Sequence, residues 1–371
     1  MKLTYFFLYG RKERLLTNPE CPKEMFYSYD YFLNKFSDTE IIQFTDDRKG
    51  LIPRILKFID RVLNKLTKLP FFTYNALTSK NIKTINHSDY LVLAQDRIAL
   101  SILPALIVIR LMNKKINISF FVMGLYNKKP KPGINFRLRN TILNLLFKIV
   151  DNIIFLGEGE YNYAIKNYPY LKNKSHLLPF MVDYSFWNTE KISSKSREGI
   201  LFVGNDSNRD FDLLLKIAEQ YPDIKFTFVT KKYKFKKPNL DNVKFIDGSW
   251  GNQMISDEEL KNLYKKSKIT IIPLKNSYQP SGQSVALQSM CVGTPVLITR
   301  TDGFWDKSNF VDKEDILFIP DNNINSWMQI IDRYYPDDEF LDQLSEKGLS
   351  LIKDKYTSES FHKNFSTIIG I

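Results

Sequence analysis

Cysteine and histidine, the residues that most often bind metals or form disulfides, are scarce in this sequence. The two cysteines, Cys21 and Cys291, lie far apart, and the three histidines, His87, His176 and His362, complete no metal-ligand spacing or recognisable catalytic triad. This scarcity argues against a zinc site, a disulfide framework and a histidine-based nucleophile. We therefore expect no bound metal and a reducing compartment such as the cytoplasm.

Long apolar runs are also missing. A membrane-spanning helix needs about 18 or more consecutive apolar residues, and no such stretch occurs. The apolar run within residues 1–10 is too short for the core of a signal peptide, and charged residues follow it. We interpret this run as a buried strand, and we expect a chain without a transmembrane helix.

The composition is typical of a folded protein with two domains. Of the 371 residues, 43% are hydrophobic and 25% are charged, and a chain of this length usually divides into two cores. The 53 Lys and Arg against 41 Asp and Glu give a net charge of +12. A basic surface attracts nucleic acid, anionic membranes or phosphate-bearing ligands. No zinc-finger, RRM or helix-turn-helix signature occurs, so we expect no nucleic-acid partner.

Short apolar runs alternate with longer helical patterns along most of the chain. Runs without polar alternation are typical of parallel strands buried on both faces. Their alternation with helices predicts an α/β protein with doubly wound parallel sheets. The predicted strands are residues 3–9, 89–94, 118–123, 152–157, 199–204, 225–230, 243–246, 269–274 and 295–299.

This alternation is interrupted once, over residues 180–198. The second half of that stretch is polar and has little hydrophobic periodicity, which favours a linker. We therefore predict one Rossmann-like domain over residues 1–180 and a second over residues 181–350. Residues 351–371 should contain a C-terminal helix that packs back toward the N-terminal domain.

The most informative passage is residues 279–303. A loop of Pro, Ser and Gly follows the strand predicted at 269–274, and a helix is predicted from about Ser284 to Cys291. The unpaired N–H groups at the start of that helix would bind a diphosphate well. Gly282 lets backbone approach a ligand closely, and the hydroxyls of Ser281 and Ser284 can donate hydrogen bonds. An ordinary turn with serine caps is the alternative.

A second loop of the same design spans residues 204–212. Gly204 permits a tight turn, and Arg209 is a cation at the start of a helix, where the helix dipole disfavours it. A phosphate ligand would explain this arginine, whereas the alternative is a solvated Arg209 paired with Asp206 or Asp210. Both loops follow strands of one predicted sheet, and open α/β sheets bind ligands at the carboxyl ends of their strands.

The C-terminal half resembles the donor domain of GT-B-fold glycosyltransferases, especially glycosyltransferase family 4 and its relatives, the glycosyl transferases group 1. The family pattern reads Glu-Gly-Phe-Gly, a few apolar residues, then Glu-Ala-Met-Ala-x-Gly-x-Pro-Val, and residues 280–283 and 288–296 correspond to it. Residues 178–187 resemble the segment where such chains cross between domains. The resemblance implies two Rossmann-like domains facing a cleft, the first binding an acceptor and the second a nucleoside-diphosphate sugar.

The resemblance also implies roles for individual residues. Contacts are expected from Gly204 and Arg209 to the donor diphosphate, from Ser281, Gly282, Gln283 and Ser284 to its sugar and phosphates, from Gln288 to its ribose, and from Thr230, Lys231 and Trp250 to its base. Two positions depart from the family, because Pro280 and Gln288 stand where a pair of glutamates is usual. Gln288 can still hydrogen-bond a ribose hydroxyl, but without charge.

The activity implied is metal-independent transfer of a hexosyl group from a nucleoside-diphosphate sugar, which serves as substrate without a further cofactor. Retention at the anomeric carbon is the default for the family. The acceptor would be a hydroxyl of a glycan or lipid-linked glycan in cell-surface polysaccharide synthesis. An epimerase of the same fold is one alternative. An inactive sugar-nucleotide binder is another, suggested by Pro280 and Gln288.

Few residues are candidates for acid-base chemistry. Asp96 follows the strand predicted at 89–94 and is our candidate for the base that deprotonates an acceptor hydroxyl in an inverting mechanism. Its alternative role is to cap the next helix. Glu158 and Glu160 follow the strand predicted at 152–157, and they are either first-turn helix acids or cleft residues.

Residues 51–69 form an amphipathic helical pattern. The apolar side carries Leu51, Ile52, Ile55, Ile59, Val62, Leu63 and Leu66, and the basic side carries Arg54, Lys57, Arg61, Lys65 and Lys68. One interpretation is a surface helix whose apolar side packs on the core and whose basic side is solvated. The other is peripheral contact with an anionic membrane, at the inner face of the cytoplasmic membrane.

Overall fold

Parallel strands that are apolar along their whole length form the centre of each half of the protein. The computed structural model describes residues 1–45, 49–112, 114–233, 238–249 and 254–371. Two units are distinguished: unit 1 is Met1–Leu178 together with His362–Ile371, and unit 2 is Pro179–Phe361. The sequence-based boundary at residue 180 lies two residues after Leu178. Of the segment 351–371, the first residues belong to a helix of unit 2 and only the last ten to unit 1.

Unit 1 is built on a six-stranded sheet in the order β2-β1-β3-β4-β5-β6, in which every pair is parallel. Its inner strands are buried on both faces, which is why their sequences show no polar alternation. The strands are β1 Leu3–Phe7, β2 Thr39–Gln43, β3 Tyr90–Leu93, β4 Asn117–Val122, β5 Asn152–Phe155 and β6 Ser175–Leu177.

Nine helices belong wholly to the described part of unit 1, and several connect consecutive parallel strands, which need such crossovers. They are α1 Arg11–Thr17, α2 Tyr29–Lys35, α3 Leu51–Thr67, α4 Thr73–Ala76, α5 Ser79–Asn86, α6 Asp96–Ser101, α7 Leu103–Leu111, α8 Ile134–Ile149 and α9 Glu158–Asn167. Two short 3₁₀ turns, Glu24–Phe26 and Pro169–Lys174, complete the unit.

Unit 2 repeats this architecture with a six-stranded parallel sheet in the order β12-β11-β10-β7-β8-β9. The strands are β7 Ile200–Val203, β8 Phe226–Val229, β9 Val243–Ile246, β10 Ile269–Ile272, β11 Val296–Thr299 and β12 Leu317–Ile319. The helices are α10 Tyr184–Trp187, α11 Phe211–Gln220, α12 Asp257–Lys266, α13 Gln283–Cys291, α14 Ile324–Tyr334 and α15 Asp338–Lys355. Helix α16, Ser358–Ile369, begins in unit 2 and ends in unit 1.

All nine strands predicted from the sequence are present, each within a residue or two of its predicted ends. Three further strands were not predicted: Thr39–Gln43, Ser175–Leu177 and Leu317–Ile319. Each is an edge strand of its sheet or only three residues long. Short or polar segments such as TEIIQ and SHL carry too little apolar signal to be recognised alone.

The predicted linker at 180–198 is corrected by the structure. Trp187 is fully buried and meets Tyr264 edge to face, with ring centroids 5.9 Å apart. Arg197 is also buried and donates a hydrogen bond to the carbonyl of Val292 at 3.3 Å. The segment therefore belongs to the core of unit 2, because its aromatic and basic side chains pack inward although its sequence lacks periodicity.

The core-facing interpretation of residues 51–69 is wrong. Helix α3 forms there, but Leu51, Ile52, Ile55, Ile59 and Val62 are all exposed. Polar groups attach the opposite side of the helix to unit 1, as described below. Both cysteines are buried and free, as expected. Among the helices described, none is long and apolar enough to cross a membrane.

Candidate functional site

Two loops meet at the carboxyl edge of the unit 2 sheet. One follows β7 and the other follows β10, and these strands are neighbours. Backbone hydrogen bonds join the loops: Asp210 N–H donates to the carbonyl of Pro273 at 2.9 Å, and Lys275 N–H donates to the carbonyl of Asn208 at 2.7 Å. The residues predicted to bind the diphosphate and those predicted to bind the sugar are therefore held in one rigid arrangement.

Arg209 lies between these loops with only 3% of its surface exposed. Two glycines leave the space that the Arg209 side chain occupies. A Cβ on Gly204 would come within 2.3 Å of the Arg209 Nε, and a Cβ on Gly282 would come within 2.8 Å of its Nη1. At these distances the guanidinium would have to shift, so glycine at both positions allows Arg209 to occupy its place between the two loops.

The guanidinium of Arg209 leaves hydrogen-bond donors without acceptors in the described part of the protein. Its Nε lies 3.2 Å from Asp206 Oδ2, whose side chain is 40% exposed, but without hydrogen-bond geometry. Neither Nε nor Nη1 has a hydrogen-bond partner among the residues that the structure describes, although both atoms are buried. Buried donors are almost always paired, and an anionic ligand is the partner that a guanidinium binds most strongly. The alternative of a solvated arginine is therefore wrong, although the pairing with Asp206 that it included is present.

The helix after the second loop begins at Gln283, one residue earlier than predicted, and continues to Cys291. Its N-cap is Gly282, with φ +86°, and no side chain caps the helix. The alternative of a serine-capped turn is thus incorrect, because Ser281 Oγ accepts a hydrogen bond from Asn208 Nδ2 at 2.7 Å instead. The first N–H groups of α13 have no side-chain partner, which suits an anion.

Gln283 and Gln288 lie on the same helix and are both buried, with 6% and 8% of their surfaces exposed. The Gln283 Oε1 is buried and has no hydrogen-bond partner in the described part of the chain. The Gln288 Oε1 accepts a hydrogen bond from the Tyr264 hydroxyl at 3.3 Å. Tyr264 was not predicted, because it lies on α12, far from both loops in the sequence. Ser284 is the only residue of α13 that is not fully buried.

A third cluster follows β8 and β9, the neighbouring strands on the other side of β7. Asn205 organises it: its Nδ2 donates to the carbonyl of Gly248 at 2.7 Å, and its Oδ1 accepts from Lys231 N–H at 2.7 Å and from the Thr230 hydroxyl at 3.3 Å. Asn205 and Asn208 were not predicted as site residues, although both lie in the loop at residues 204–212. Trp250 lies outside the described residues.

The candidate base in unit 1 is buried beside a second carboxyl group. Asp96 is the first residue of α6 rather than its cap, and burial raises its pKa to about 6. Glu160 accepts hydrogen bonds from Gly124 N–H at 2.9 Å and from Tyr126 N–H at 3.4 Å. Burial, together with the charge of Asp96, raises the pKa of Glu160 to about 8. The raised pKa of Glu160 favours its neutral form, and its two hydrogen bonds fix the turn after β4.

No candidate metal centre is found within the described residues, since no three or more His, Cys, Asp and Glu side chains converge there. Two histidines contact other groups: His362 Nδ1 lies 2.7 Å from Ser28 Oγ, and His87 Nδ1 lies 2.7 Å from the Lys83 carbonyl oxygen. Burial lowers the pKa of His176, which lies on β6.

The first comparison with known proteins, against protein families, concerns unit 2. Residues 186–350 match the model of a protein family described as Glycosyl transferases group 1. This match covers most of unit 2 and less than half of the chain. It contains every residue predicted to contact the donor, from Gly204 to Gln288. No curated protein sequence matches the chain.

Solved structures match the whole chain at low sequence identity. HepE from Anabaena, solved with UDP and glucose, is 12% identical with a TM-score of 0.70, and the match covers 100% of this chain and 99% of that one. Sucrose-phosphate synthase from Thermosynechococcus elongatus is 12% identical with a TM-score of 0.70 over 99% and 98%. An α-glucosyltransferase solved with UDP-glucose and DNA is 14% identical with a TM-score of 0.61 over 100% of both chains.

These comparisons confirm the predicted resemblance and fold class. Each unit is an α/β domain with a doubly wound parallel sheet, and the chain has the GT-B fold of glycosyltransferases. Residues 186–350 of unit 2 are similar to the domain described as Glycosyl transferases group 1.

Proposed function

We propose that the chain transfers a sugar from a nucleoside-diphosphate sugar to a hydroxyl group of a glycan or lipid-linked glycan. The observation that supports this most strongly is Arg209, a buried guanidinium with two unpartnered nitrogen atoms next to the uncapped N-terminus of α13. Solved structures of similar fold contain UDP or UDP-glucose, so a uridine nucleotide is the first donor to test.

The proposed donor site uses the three clusters of unit 2. Arg209 and the first N–H groups of α13 bind the diphosphate and stabilise its charge as it leaves, so the reaction needs no metal ion in this proposal. Gln283 and Ser284 face the sugar, and Gln288, held by Tyr264, binds the ribose. The base lies beside Thr230 and Lys231. A hexosyl donor and retention at the anomeric carbon complete the proposal, with no tightly bound cofactor.

Asp96 is the proposed base for the acceptor hydroxyl in an inverting reaction, which is the alternative to retention. With a pKa raised to about 6, its carboxylate is ionised at neutral pH and more basic than an ordinary aspartate, which favours proton abstraction. Glu160 acts through the turn that follows β4 and is a positioning residue. Asp96→Asn should lower transfer while leaving the affinity for the donor nucleotide unchanged.

We propose that the protein acts in the synthesis of a cell-surface polysaccharide, in the cytoplasm at the inner face of the membrane. The two free buried cysteines fit a reducing compartment. One observation favours a different acceptor: an α-glucosyltransferase of similar fold was solved with DNA, and this chain carries a net charge of +12. The acceptor test therefore includes duplex DNA beside glycans and lipid-linked glycans.

The experiment begins with thermal unfolding in the presence of a panel of nucleotide sugars. A ligand at about 100 times its dissociation constant stabilises the folded state by about 2.7 kcal/mol, and we expect one nucleotide series to do so. The stabilising donor is then incubated with each acceptor, and transfer is followed by mass spectrometry.

Each alternative gives a distinct result. Conversion of the donor to an epimer without acceptor would identify an epimerase, and tight binding without hydrolysis or transfer would identify an inactive binder. Absence of stabilisation by any nucleotide sugar would contradict the proposed donor site itself.

A further inference from the structure

Helix α3 has three distinct sides, although its sequence suggests two. At about 100° per residue, the side that faces unit 1 carries Pro53, Asp60 and Thr67, which are buried, with Leu56 and Leu63 half-buried between them. A second side is basic and a third is apolar. The apolar side is turned away from the buried side, so it contributes little to the core of its own unit.

Polar groups fix this orientation. Asp60 Oδ2 accepts a hydrogen bond from Tyr74 N–H at 3.2 Å. Asn64 accepts from Phe71 N–H at 2.6 Å and donates to the Phe71 carbonyl at 3.0 Å. Since these bonds hold α3 against the segment that leads into α4, the most apolar side chains of the helix are directed outward.

The outward apolar side forms a continuous ridge. Its members are mostly half or more exposed: Leu51 74%, Ile52 69%, Ile55 50%, Phe58 66%, Ile59 44% and Val62 39%. Exposed apolar residues on soluble proteins usually occur singly. A row of large apolar side chains on successive turns of one exposed helix is therefore unusual. We call these six residues the α3 ridge.

The charges beside the α3 ridge have one sign. Five exposed basic residues line the adjacent side: Arg54, Lys57, Arg61, Lys65 and Lys68. Asp60 is the one acidic residue of the segment 51–69, and it is buried. The exposed surface of α3 therefore combines an apolar ridge with a strip of positive charge, which suits an anionic partner that also accepts apolar side chains.

We propose that α3 docks the protein onto an anionic lipid bilayer, with the α3 ridge inserted at the level of the upper acyl chains and the five basic side chains bound to lipid headgroups. This is the arrangement of an interfacial amphipathic helix. A second copy of the chain is a poorer partner, because a two-fold contact through α3 would bring ten like charges together. The proposal concerns unit 1 and does not depend on the activity of unit 2.

The test is flotation of the full chain with vesicles of phosphatidylcholine, with and without phosphatidylglycerol. We expect binding to the anionic vesicles that weakens as salt increases. Each basic residue near an anionic surface contributes about 1 kcal/mol, and about 1.4 kcal/mol is a factor of ten. A variant that loses all five charges should therefore bind about 4,000-fold more weakly; its changes are Arg54→Gln, Lys57→Gln, Arg61→Gln, Lys65→Gln and Lys68→Gln.

A matched control removes five exposed charges elsewhere and should bind as the wild type does; its changes are Lys166→Gln, Lys172→Gln, Lys216→Gln, Lys244→Gln and Lys353→Gln. The α3 ridge is tested separately by Ile52→Ser, Ile55→Ser and Phe58→Ser, which together should weaken binding at least 100-fold. The corresponding control replaces exposed apolar residues outside α3: Leu16→Ser, Met254→Ser and Val311→Ser.

Insertion is measured directly with Phe58→Trp. Brominated acyl chains should quench the fluorescence added by this substitution, whereas the fluorescence added by Leu16→Trp should not change. The proposal is overturned if wild type does not float, if the control variants lose binding as much as the α3 variants, or if the added fluorescence of the Phe58→Trp variant is not quenched. Self-association that depends on the α3 ridge, without lipid binding, would overturn it in favour of a protein interface.

Discussion

At the scale of single residues, Arg209 is the centre of the proposed donor site. Its burial explains the two glycines that flank it, and its unpartnered nitrogen atoms explain why it is not an ordinary structural arginine. A buried cation with two nitrogen atoms that lack hydrogen-bond partners among the described residues is costly to the folded state. Binding of a diphosphate would remove that cost and supply the missing acceptors.

Replacement of this arginine gives the first prediction. Arg209→Ala should weaken the binding of a nucleoside diphosphate by about tenfold to 100-fold, since a charge-assisted hydrogen bond contributes about 1.5–3 kcal/mol. Isothermal titration measures the affinity. Arg333→Ala is the control, because Arg333 is an exposed arginine of the same unit. Equal affinities of wild type and Arg209→Ala would remove Arg209 from the site.

The carboxyl pair of unit 1 gives a prediction about pH. Burial raises the pKa of Asp96 from 3.8 to about 6 and that of Glu160 from 4.5 to about 8. Between these values the folded state binds more protons than the unfolded state, so the free energy of unfolding should fall as pH rises from about 4 to 8. Glu160→Gln removes the group with the higher pKa, and its curve should be flatter between pH 6 and 8.

Urea unfolding at a series of pH values measures this effect. Glu158→Gln is a suitable control, because Glu158 is on the same helix and is only half-buried. It should leave the pH dependence of wild type in place. Parallel curves for wild type and Glu160→Gln between pH 6 and 8 would mean that Glu160 is ionised in the folded protein.

At the scale of secondary-structure elements, the start of α13 can be tested without changing a polar group. Gly282→Ala puts a Cβ within 2.8 Å of Arg209 Nη1, and Gly282 has φ +86°. Gly10→Ala is matched for backbone strain, because Gly10 has φ +83° with nothing within 4 Å of its Cβ. A left-handed conformation costs a non-glycine residue about 1–2 kcal/mol.

Both glycine variants should therefore lose stability, measured by urea unfolding, but only Gly282→Ala should also weaken nucleotide binding, by about tenfold or more. The binding loss comes from displacement of the guanidinium rather than from strain. If both variants bind the nucleotide as wild type does, the N-terminus of α13 is not part of the donor site.

Helix α3 illustrates what a sequence pattern can and cannot predict. The spacing of apolar residues correctly predicted a helix over residues 51–67, since periodicity depends only on the local chain. The orientation of that helix depends on Asp60 and Asn64, whose partners Tyr74 and Phe71 belong to a segment that carried no recognisable signal. The apolar side of a helix is normally expected to face the core. In α3, hydrogen bonds to residues outside the helix direct that side outward instead.

At the scale of the whole molecule, the order of strands and helices was largely predictable. Buried parallel strands have a strong apolar signal, so the α/β class of both units followed from the sequence. The loops at 204–212 and 279–284 were recognised by their glycines and polar residues. The sequence did not reveal the burial of Arg209 or the hydrogen bonds made by Asn205, Asn208 and Tyr264. These features depend on contacts between segments that are separated in the chain.

The central claim is that a nucleoside-diphosphate sugar binds to unit 2 at the loops after β7 and β10. Hydrogen–deuterium exchange of the full chain, with and without the stabilising nucleotide, tests it most directly. We predict slower exchange of the backbone amides of residues 204–210 and 281–286, where the loop and the first turn of α13 would contact the diphosphate. Protection confined to unit 1, or unchanged exchange in these segments under saturating nucleotide, would contradict the claim.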